Sequence, residues 1–234
     1  MRSSRVREDT AMRNNTKDLI DDALSAAATS LTSPGDWLTG EQRRAAAAEV
    51  LGARHDDLDQ QRRSAVSPSV VPGRHAATAE LPAEAVEVLH RIASDPGRLT
   101  RSWADDVIGA LGEERYTELV GIAACTAVLD TFSWAMHDRD MTLGPITAGD
   151  PEESRPDGVG DVGAWVAQST AAGMANVSRS LSLVPATNAA WVGLVQAMYS
   201  RGPEFLDLEW DRALSRPQVE LVAARTTSEL ECFY

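Results

Sequence analysis

The 234-residue sequence is poor in cysteine, lysine and aromatic residues. Its two cysteines, Cys125 and Cys232, are too few for the disulfide framework that holds small secreted domains together. Aromatic residues make up 5% of the chain, while hydrophobic residues, many of them alanine, make up 43%. Strand-rich cores favour aromatic and β-branched side chains, whereas alanine favours helices. The composition therefore predicts an all-α fold.

Basic residues are also scarce. The chain has 22 Lys and Arg but 35 Asp and Glu, which gives a formal net charge of -13. Binding to nucleic acid depends on clustered Lys and Arg that neutralise phosphates, so we expect no nucleic acid partner. No run approaches the roughly 20 apolar residues that cross a bilayer, and the charged N-terminus has no apolar segment behind it. We therefore expect a cytoplasmic protein without a membrane partner.

Helical periodicity, proline and glycine divide the chain into five segments. Residues 1–16 are polar and aperiodic, which predicts a disordered leader, or an overlong start if translation begins at Met12. Residues 17–80 are predicted as an N-terminal helical extension and linker, in which Thr39 caps the second helix. The remaining segments are a first helical lobe (81–137), a linker loop (138–161) and a second helical lobe (162–234) with helices near 162–172, 176–183 and 186–200 and from 216 onward.

A short internal repeat favours two related lobes. Glu118-Leu119-Val120 and Glu220-Leu221-Val222 lie 102 residues apart, and an Ala-Leu pair precedes each of them. Repetition at this scale is typical of two helical lobes packed about a pseudo-twofold axis, although chance explains the same match. In this alignment Asp130 takes the place of Cys232, so the first lobe lacks the thiol.

In the C-terminal segment eleven residues separate Glu220 from Cys232, and Phe233 and Tyr234 follow the cysteine. This segment resembles the alkylhydroperoxidase D-like, or carboxymuconolactone decarboxylase-like, family. That family shows Glu, eleven residues, Cys, two residues, Cys, three residues and His, often with an aromatic residue before the second Cys. Glu220 and Cys232 match the Glu and the first Cys, and Tyr234 matches the aromatic residue.

The resemblance implies a peroxidase or disulfide oxidoreductase that reduces small hydroperoxides with electrons from a thiol reductant protein or a small thiol. It implies that Cys232 is the resolving thiol, that Glu220 belongs to a proton relay, and that the protein forms homo-oligomers without a cofactor. The sequence stops where the second Cys is expected. A selenocysteine codon read as a stop, a genuine truncation and a trimmed chain all explain this ending, and we expect the chain alone to be inactive.

The proposed relay requires a particular local structure. One unbroken helix from Glu220 to Cys232 would separate the two residues by roughly 18 Å, which is too far for proton transfer. Thr226-Thr227-Ser228 is expected to break the helix, because these residues are poor helix formers and good caps. Cys232 would then lie near the start of a new helix, where the helix dipole stabilises a thiolate.

Two other functions fit the same sequence. A carboxymuconolactone decarboxylase-like enzyme would not need the redox pair, and a non-catalytic oligomerising helical protein would need neither a second Cys nor a His. Cys125 lies in an apolar helical stretch and is expected to be buried and unreactive. The four histidines of the chain are His55, His75, His90 and His137. No two of them show the i, i+4 spacing of metal ligands on one helix, so no metal site is predicted.

Overall fold

The structure, a computed structural model, describes residues 17–137, 139–199, 213–230 and 232. Within these residues the fold is all-α, as the composition predicts, apart from one two-stranded hairpin. The predicted leader, residues 1–16, lies outside the described residues.

Helices account for most of the described chain, and α1 occupies residues 17–30. The other α-helices are α2 (Gly40–Gly52), α3 (Asp57–Ser64), α4 (Ala83–Ser94), α5 (Arg101–Leu111), α6 (Glu113–His137), α7 (Asn176–Arg179), α8 (Pro185–Met198) and α9 (Arg216–Glu229). Short 3-10 helices cover Ala53–His55, Pro68–Val70 and Pro96–Arg98, and the strands are β1 (Val159–Gly160) and β2 (Gln168–Ser169).

Local features of the sequence set the starts of α2 and α6. The Thr39 hydroxyl accepts a hydrogen bond from the backbone N–H of Gln42 at 3.3 Å, and the Gln42 side chain accepts one from the Thr39 N–H at 3.0 Å. This reciprocal capping box satisfies N–H groups that have no partner inside the helix, and it confirms the predicted Thr39 cap. Gly112, with φ of +84°, makes the turn between α5 and α6 that few other residues adopt.

Helix α6 lies at the centre of the fold, where it packs against α2, α4, α5 and α8. Leu119 and Ile122 of α6 share one apolar core with Leu89 of α4 and Leu194 of α8. Helix α2 from the predicted extension and helix α4 from the predicted first lobe contribute to this same core. The division of the chain into an extension and two lobes stays a prediction.

Helix α6 is also long and apolar enough, by length and mean hydropathy, to cross a membrane, and it is the single candidate among the described residues. Its sequence contains no run of about 20 consecutive apolar residues, because Glu118 and Asp130 interrupt it. The core helix of a soluble protein passes the same test. Its packing against four other helices gives α6 the position of a core helix in this fold.

The helix predicted over residues 162–172 is wrong. This region contains the turn and second strand of the hairpin, in which Val159 pairs with Ser169 and Gly160 with Gln168. Gly163, in the turn, has a φ of +80°, a left-handed conformation that glycine adopts readily and that interrupts a right-handed helix. The helix predicted over residues 176–183 is shorter than expected, since α7 ends at Arg179.

Gly121→Ala is expected to lower the free energy of unfolding by about 1–3 kcal/mol, because overpacking forces neighbours apart. An added methyl group at this position of α6 would fall on the Thr187 side chain of α8. Gly109 of α5 is the matched control, since nothing lies within 4 Å of a methyl group added there. Gly109→Ala should raise the free energy of unfolding by about 0.5–1 kcal/mol. Urea denaturation measures both changes, and equal effects would contradict the close approach of α6 and α8.

Candidate functional site

Cys232 lies just beyond the C-terminal end of α9, and it is exposed. Its backbone N–H donates a hydrogen bond to the carbonyl oxygen of Thr227 at 2.9 Å, which ties it to the last turn of the helix. Glu231, Phe233 and Tyr234, which complete the predicted motif, lie outside the described residues. The thiol is therefore positioned by the end of α9.

Glu220 lies in the second turn of α9, and two side chains hold its carboxylate. The Tyr199 hydroxyl, just after α8, lies 3.1 Å from each carboxylate oxygen, and Arg216 Nε donates to Oε1 at 2.5 Å. Burial, together with the bond to Glu220, raises the pKa of Tyr199, so its hydroxyl remains a hydrogen-bond donor. The sequence analysis missed Tyr199, because nothing in its local sequence marks it as a partner of Glu220.

The predicted helix break at Thr226-Thr227-Ser228 is wrong, because α9 runs through these residues to Glu229. The Thr226 hydroxyl donates to the Val222 carbonyl at 2.9 Å, and the Thr227 hydroxyl donates to the Ala224 carbonyl at 3.0 Å. Such bonds back along the helix satisfy threonine without interrupting it. Cys232 therefore follows a helix C-terminus instead of preceding a helix.

The structure does not bring Glu220 and Cys232 together. Thr227, whose carbonyl accepts the bond from Cys232, lies seven positions after Glu220, which is a rise of about 10 Å along the axis of α9. The C-terminal end of a helix also carries partial negative charge, which does not favour a thiolate. A direct proton transfer between the two groups is too long in this arrangement.

Cys125, the other thiol, is buried in α6 with 1% of its surface exposed. Burial raises its pKa to about 11, although the positive charge of Arg43 acts in the opposite direction. Reactive cysteines are exposed and ionise easily, so Cys125 has the properties of an inert core residue. This confirms the expected burial of Cys125.

Glu118, the counterpart of Glu220 in the internal repeat, is completely buried in α6. It forms a short ion pair with Arg43 of α2 and accepts a hydrogen bond from the Trp37 N–H at 2.6 Å. Burial raises the pKa of Glu118, and the charge of Arg43 opposes this effect. Asp130, the counterpart of Cys232, pairs with Arg54. At both of these positions in α6 the side chain therefore forms an ion pair with an arginine.

An apolar cleft of about 490 Å³ opens between α6, the hairpin and α8. Tyr116 and Val120 of α6, Trp165 of the hairpin turn and Trp191 of α8 line it. Glu220 and Cys232 are not among its lining residues. The cleft is therefore separate from the predicted redox residues.

A second group of titratable side chains is buried between α2, α3, α4 and the segment after α3. His75 and His90 stack with their ring centroids 3.9 Å apart, and both are nearly buried. Donor atoms of Asp56, Asp59, His75 and His90 all lie within 4.8 Å of one another. We call this group, together with the two glutamates that bond its histidines, the histidine–carboxylate cluster; its members are Glu49, Asp56, Asp59, His75, Glu87 and His90.

Each imidazole of the cluster contacts carboxylates through both ring nitrogens. His90 Nδ1 lies 2.5 Å from Asp59 Oδ2, and its Nε2 lies 2.9 Å from Glu49 Oε2. His75 Nδ1 lies 2.9 Å from Glu87 Oε2, while its Nε2 lies 3.3 Å from Asp56 Oδ1 and 3.7 Å from Asp59 Oδ1. Asp59 thus contacts one edge of both stacked rings, Asp56 lies beside it at the same edge of His75, and one glutamate bonds the other nitrogen of each ring.

Charge in the cluster is strongly negative. Its four carboxylates face one permanent cation, Arg62, whose Nη1 lies 2.9 Å from Glu87 Oε1 without the alignment of a hydrogen bond. With neutral imidazoles the balance is four negative charges against one positive charge. Burial lowers the pKa of His90, but bonds to Asp59 and Glu49 outweigh it and raise the pKa overall. Burial raises the pKa of Glu87, yet His75 and Arg62 outweigh it and lower the pKa overall.

The sequence analysis missed this cluster because its members come from separate segments of the chain. His75 and His90 are 15 residues apart, and the i, i+4 search considered only one helix at a time. Two spacings do carry a signal in hindsight: Asp56 and Asp59, and Glu87 and His90, are each three residues apart on or at the start of a helix. Residues three apart share a helix face.

No family model matches the chain, and neither a curated protein nor a solved structure is measurably similar to it. The resemblance of Glu220, Cys232 and Tyr234 to the alkylhydroperoxidase D-like motif therefore rests on these residues alone.

Proposed function

We propose that the chain is an alkylhydroperoxidase D-like, thiol- or selenol-dependent peroxidase or disulfide oxidoreductase that reduces small hydroperoxides. The observation that carries the proposal is the support given to Glu220, whose carboxylate accepts hydrogen bonds from Tyr199 and Arg216. This carboxylate precedes the exposed Cys232 by the spacing of the family motif. Electrons come from a thiol reductant protein or a small thiol, and no cofactor takes part.

In this proposal Cys232 is the resolving thiol and Glu220 is a member of a proton relay. The second Cys of the family pattern, or a selenocysteine in its place, attacks the peroxide, which breaks the O–O bond, releases the alcohol and leaves a sulfenic or selenenic acid. Cys232 then displaces water from this acid to form a disulfide or selenenylsulfide, and the thiol donor reduces that bond with two electrons. In the family pattern a histidine completes this relay, so the proposal does not require direct proton transfer between Glu220 and Cys232 over the distance of about 10 Å along α9. The Tyr199 hydroxyl is an additional member of this proton relay and orients the Glu220 carboxylate.

The test compares the 234-residue chain with a chain extended so that a cysteine follows Tyr234 directly and a histidine comes four positions after that cysteine. With a small thiol as electron donor, we expect only the extended chain to consume a hydroperoxide. In the extended chain, Cys232→Ser should abolish turnover, and Glu220→Gln should lower the rate about 100-fold, the typical contribution of general acid–base catalysis. Cys125→Ala is the matched thiol control and should leave turnover unchanged.

Equal inactivity of the two chains, once both are shown to be folded by circular dichroism, would end the redox proposal. An active extended chain in which Cys232→Ser has no effect would remove the role of Cys232. Activity that survives Cys232→Ser but is lost in Cys125→Ala would reverse the assignment of the two thiols.

A non-catalytic oligomerising protein is the second candidate, and the surface of α9 favours it. The neighbouring residues Leu221 and Val222 of α9 are 71% and 59% exposed. Exposed apolar side chains grouped on one helix mark interaction surfaces. The same surface supports homo-oligomers in the redox proposal, so an oligomer that stays inactive after the extension would favour the second candidate. We also propose a cytoplasmic location and no nucleic acid partner, consistent with the net charge of -13.

A further inference from the structure

The histidine–carboxylate cluster lies apart from Glu220 and Cys232 and takes no part in the redox proposal. Asp59 is completely buried, and His75 and His90 are 9% and 4% exposed. Buried carboxylates are costly unless positive charge compensates them. Arg62 supplies one positive charge, and its contact is with Glu87 at the edge of the cluster. The centre, between Asp56, Asp59 and the two rings, has an excess of negative charge.

From this arrangement we infer that the cluster is a binding site for one divalent first-row transition metal ion, of which Zn²⁺ is the best fit, with Asp56, Asp59, His75 and His90 as ligands. Their donor atoms lie within 4.8 Å of one another. Neighbouring ligand atoms in a tetrahedral shell with bonds of about 2.0–2.1 Å lie about 3.4 Å apart. The donors therefore need to move only by about an ångström to surround an ion.

The orientation of the rings is the strongest argument for this site. His75 directs Nε2, and His90 directs Nδ1, toward Asp56 and Asp59. The opposite nitrogen of each ring bonds a glutamate at 2.9 Å, Glu87 for His75 and Glu49 for His90. A metal-bound histidine typically donates its other N–H to a carboxylate, which fixes the tautomer and the ring orientation. Both histidines of the cluster already have this outer partner.

The donor set selects the class of metal. Two imidazole nitrogens favour zinc and its first-row neighbours over Mg²⁺ and Ca²⁺, which prefer shells made only of oxygen. Four protein ligands fill a tetrahedral shell and leave no position for substrate, which is typical of structural zinc sites. Metal ligands must be deprotonated, so any proton held between a ring nitrogen and Asp56 or Asp59 passes to solvent when the ion binds. It joins α3 and α4 to the segment that carries His75.

The experiment uses the full chain with Cys232→Ser as background, so that the exposed thiol binds no metal. After removal of metal with a chelator, calorimetric titration with Zn²⁺ should show one site per chain, and Mg²⁺ should show no binding. Co²⁺ should bind at the same site with the visible absorption of a four-coordinate ion. Zn²⁺ at 100 times its Kd should raise the folded-to-unfolded ratio about 100-fold.

Variants decide whether the cluster is the site. Asp59→Asn should abolish Zn²⁺ binding, and Glu49→Gln, which changes only an outer partner, should weaken it 10- to 100-fold. His55→Gln is the matched control, because His55 is an exposed histidine next to the cluster in sequence, and its binding should equal that of the background. The inference is overturned if the folded background protein binds neither Zn²⁺ nor Co²⁺. It is also overturned if Glu49→Gln and His55→Gln bind alike, a result that does not depend on how well Asp59→Asn folds.

Discussion

Arg43→Ala is expected to lower the free energy of unfolding by about 3–5 kcal/mol, the usual cost of removing one partner of a buried ion pair. The Arg43 side chain is 2% exposed and pairs with Glu118, which is completely buried. Its Nε also donates to the Ser30 carbonyl at 2.8 Å, and its Nη1 donates to the Thr187 hydroxyl at 3.0 Å. The variant leaves Glu118 buried beside the carboxylate of Asp36 without its cation. Denaturation in urea at neutral pH measures the loss.

The double variant Arg43→Met, Glu118→Leu is the control for this interpretation. Replacing both partners of a buried ion pair with apolar side chains is often nearly neutral, because no unpaired charge remains. The double variant should therefore be more stable than Arg43→Ala, although it also loses the hydrogen bond from Trp37 to Glu118. If the losses of Arg43→Met and Glu118→Leu measured singly add up to the loss of the double variant, the two side chains do not stabilise each other through their charges.

The same polar network explains how α8 begins. Val184, the residue before α8, has no side-chain cap. The carboxylate of Asp36, 150 residues earlier, accepts hydrogen bonds from the Ala186 and Thr187 N–H groups at 2.9 and 3.0 Å. An acidic group at a helix N-terminus satisfies unpaired donors and interacts favourably with the helix dipole. The sequence around α8 does not reveal this cap, because only the tertiary fold brings Asp36 to the start of the helix.

Helices whose signals are local could be predicted from the sequence. The capping box at Thr39 and the turn at Gly112 lie within a few residues of the helices that they define. The hairpin could not be predicted by the same reasoning, since its residues include alanines and valines that also suit a helix. Gly158, Gly163 and Gly173 have positive φ angles, which interrupt a right-handed helix in this region. The pattern of apolar residues does not specify these angles.

In the C-terminal segment, residues of low helix propensity do not end the helix. Thr226 and Thr227 were expected to end the helix because of their low helix propensity, which is a weak preference of less than about 1 kcal/mol per residue. Both hydroxyls bond carbonyls of the preceding turn, and the helix continues. Propensity alone therefore could not determine whether Glu220 and Cys232 approach each other. The histidine–carboxylate cluster could not be found for a related reason, because its members meet only after α2, α3 and α4 pack.

Asp59→Ala is expected to lower the free energy of unfolding of the metal-free protein by roughly 3 kcal/mol or more, as expected when a buried charge loses its partner. Asp59 accepts from His90 at 2.5 Å and from the Ser94 hydroxyl at 3.3 Å. Asp57→Ala is the matched control, since Asp57 is exposed in the same helix and its loss should cost less than about 0.5 kcal/mol. Urea denaturation in the presence of a chelator compares the two variants.

The pH dependence of stability separates loss of this charge interaction from loss of packing in Asp59→Ala. Asp59 from α3, Glu49 from α2 and the stacked ring of His75 face His90, and the two carboxylates raise its pKa above the ordinary 6.5 despite its burial. A raised pKa in the folded state means that the stabilisation is complete below pH 6.5 and is lost as pH rises through the folded-state pKa. The metal-free parent protein should therefore lose stability over this range, and Asp59→Ala should show a weaker decline, because one of the two carboxylates is gone. An unchanged decline in Asp59→Ala would mean that Asp59 acts on stability through packing and not through the charge of His90.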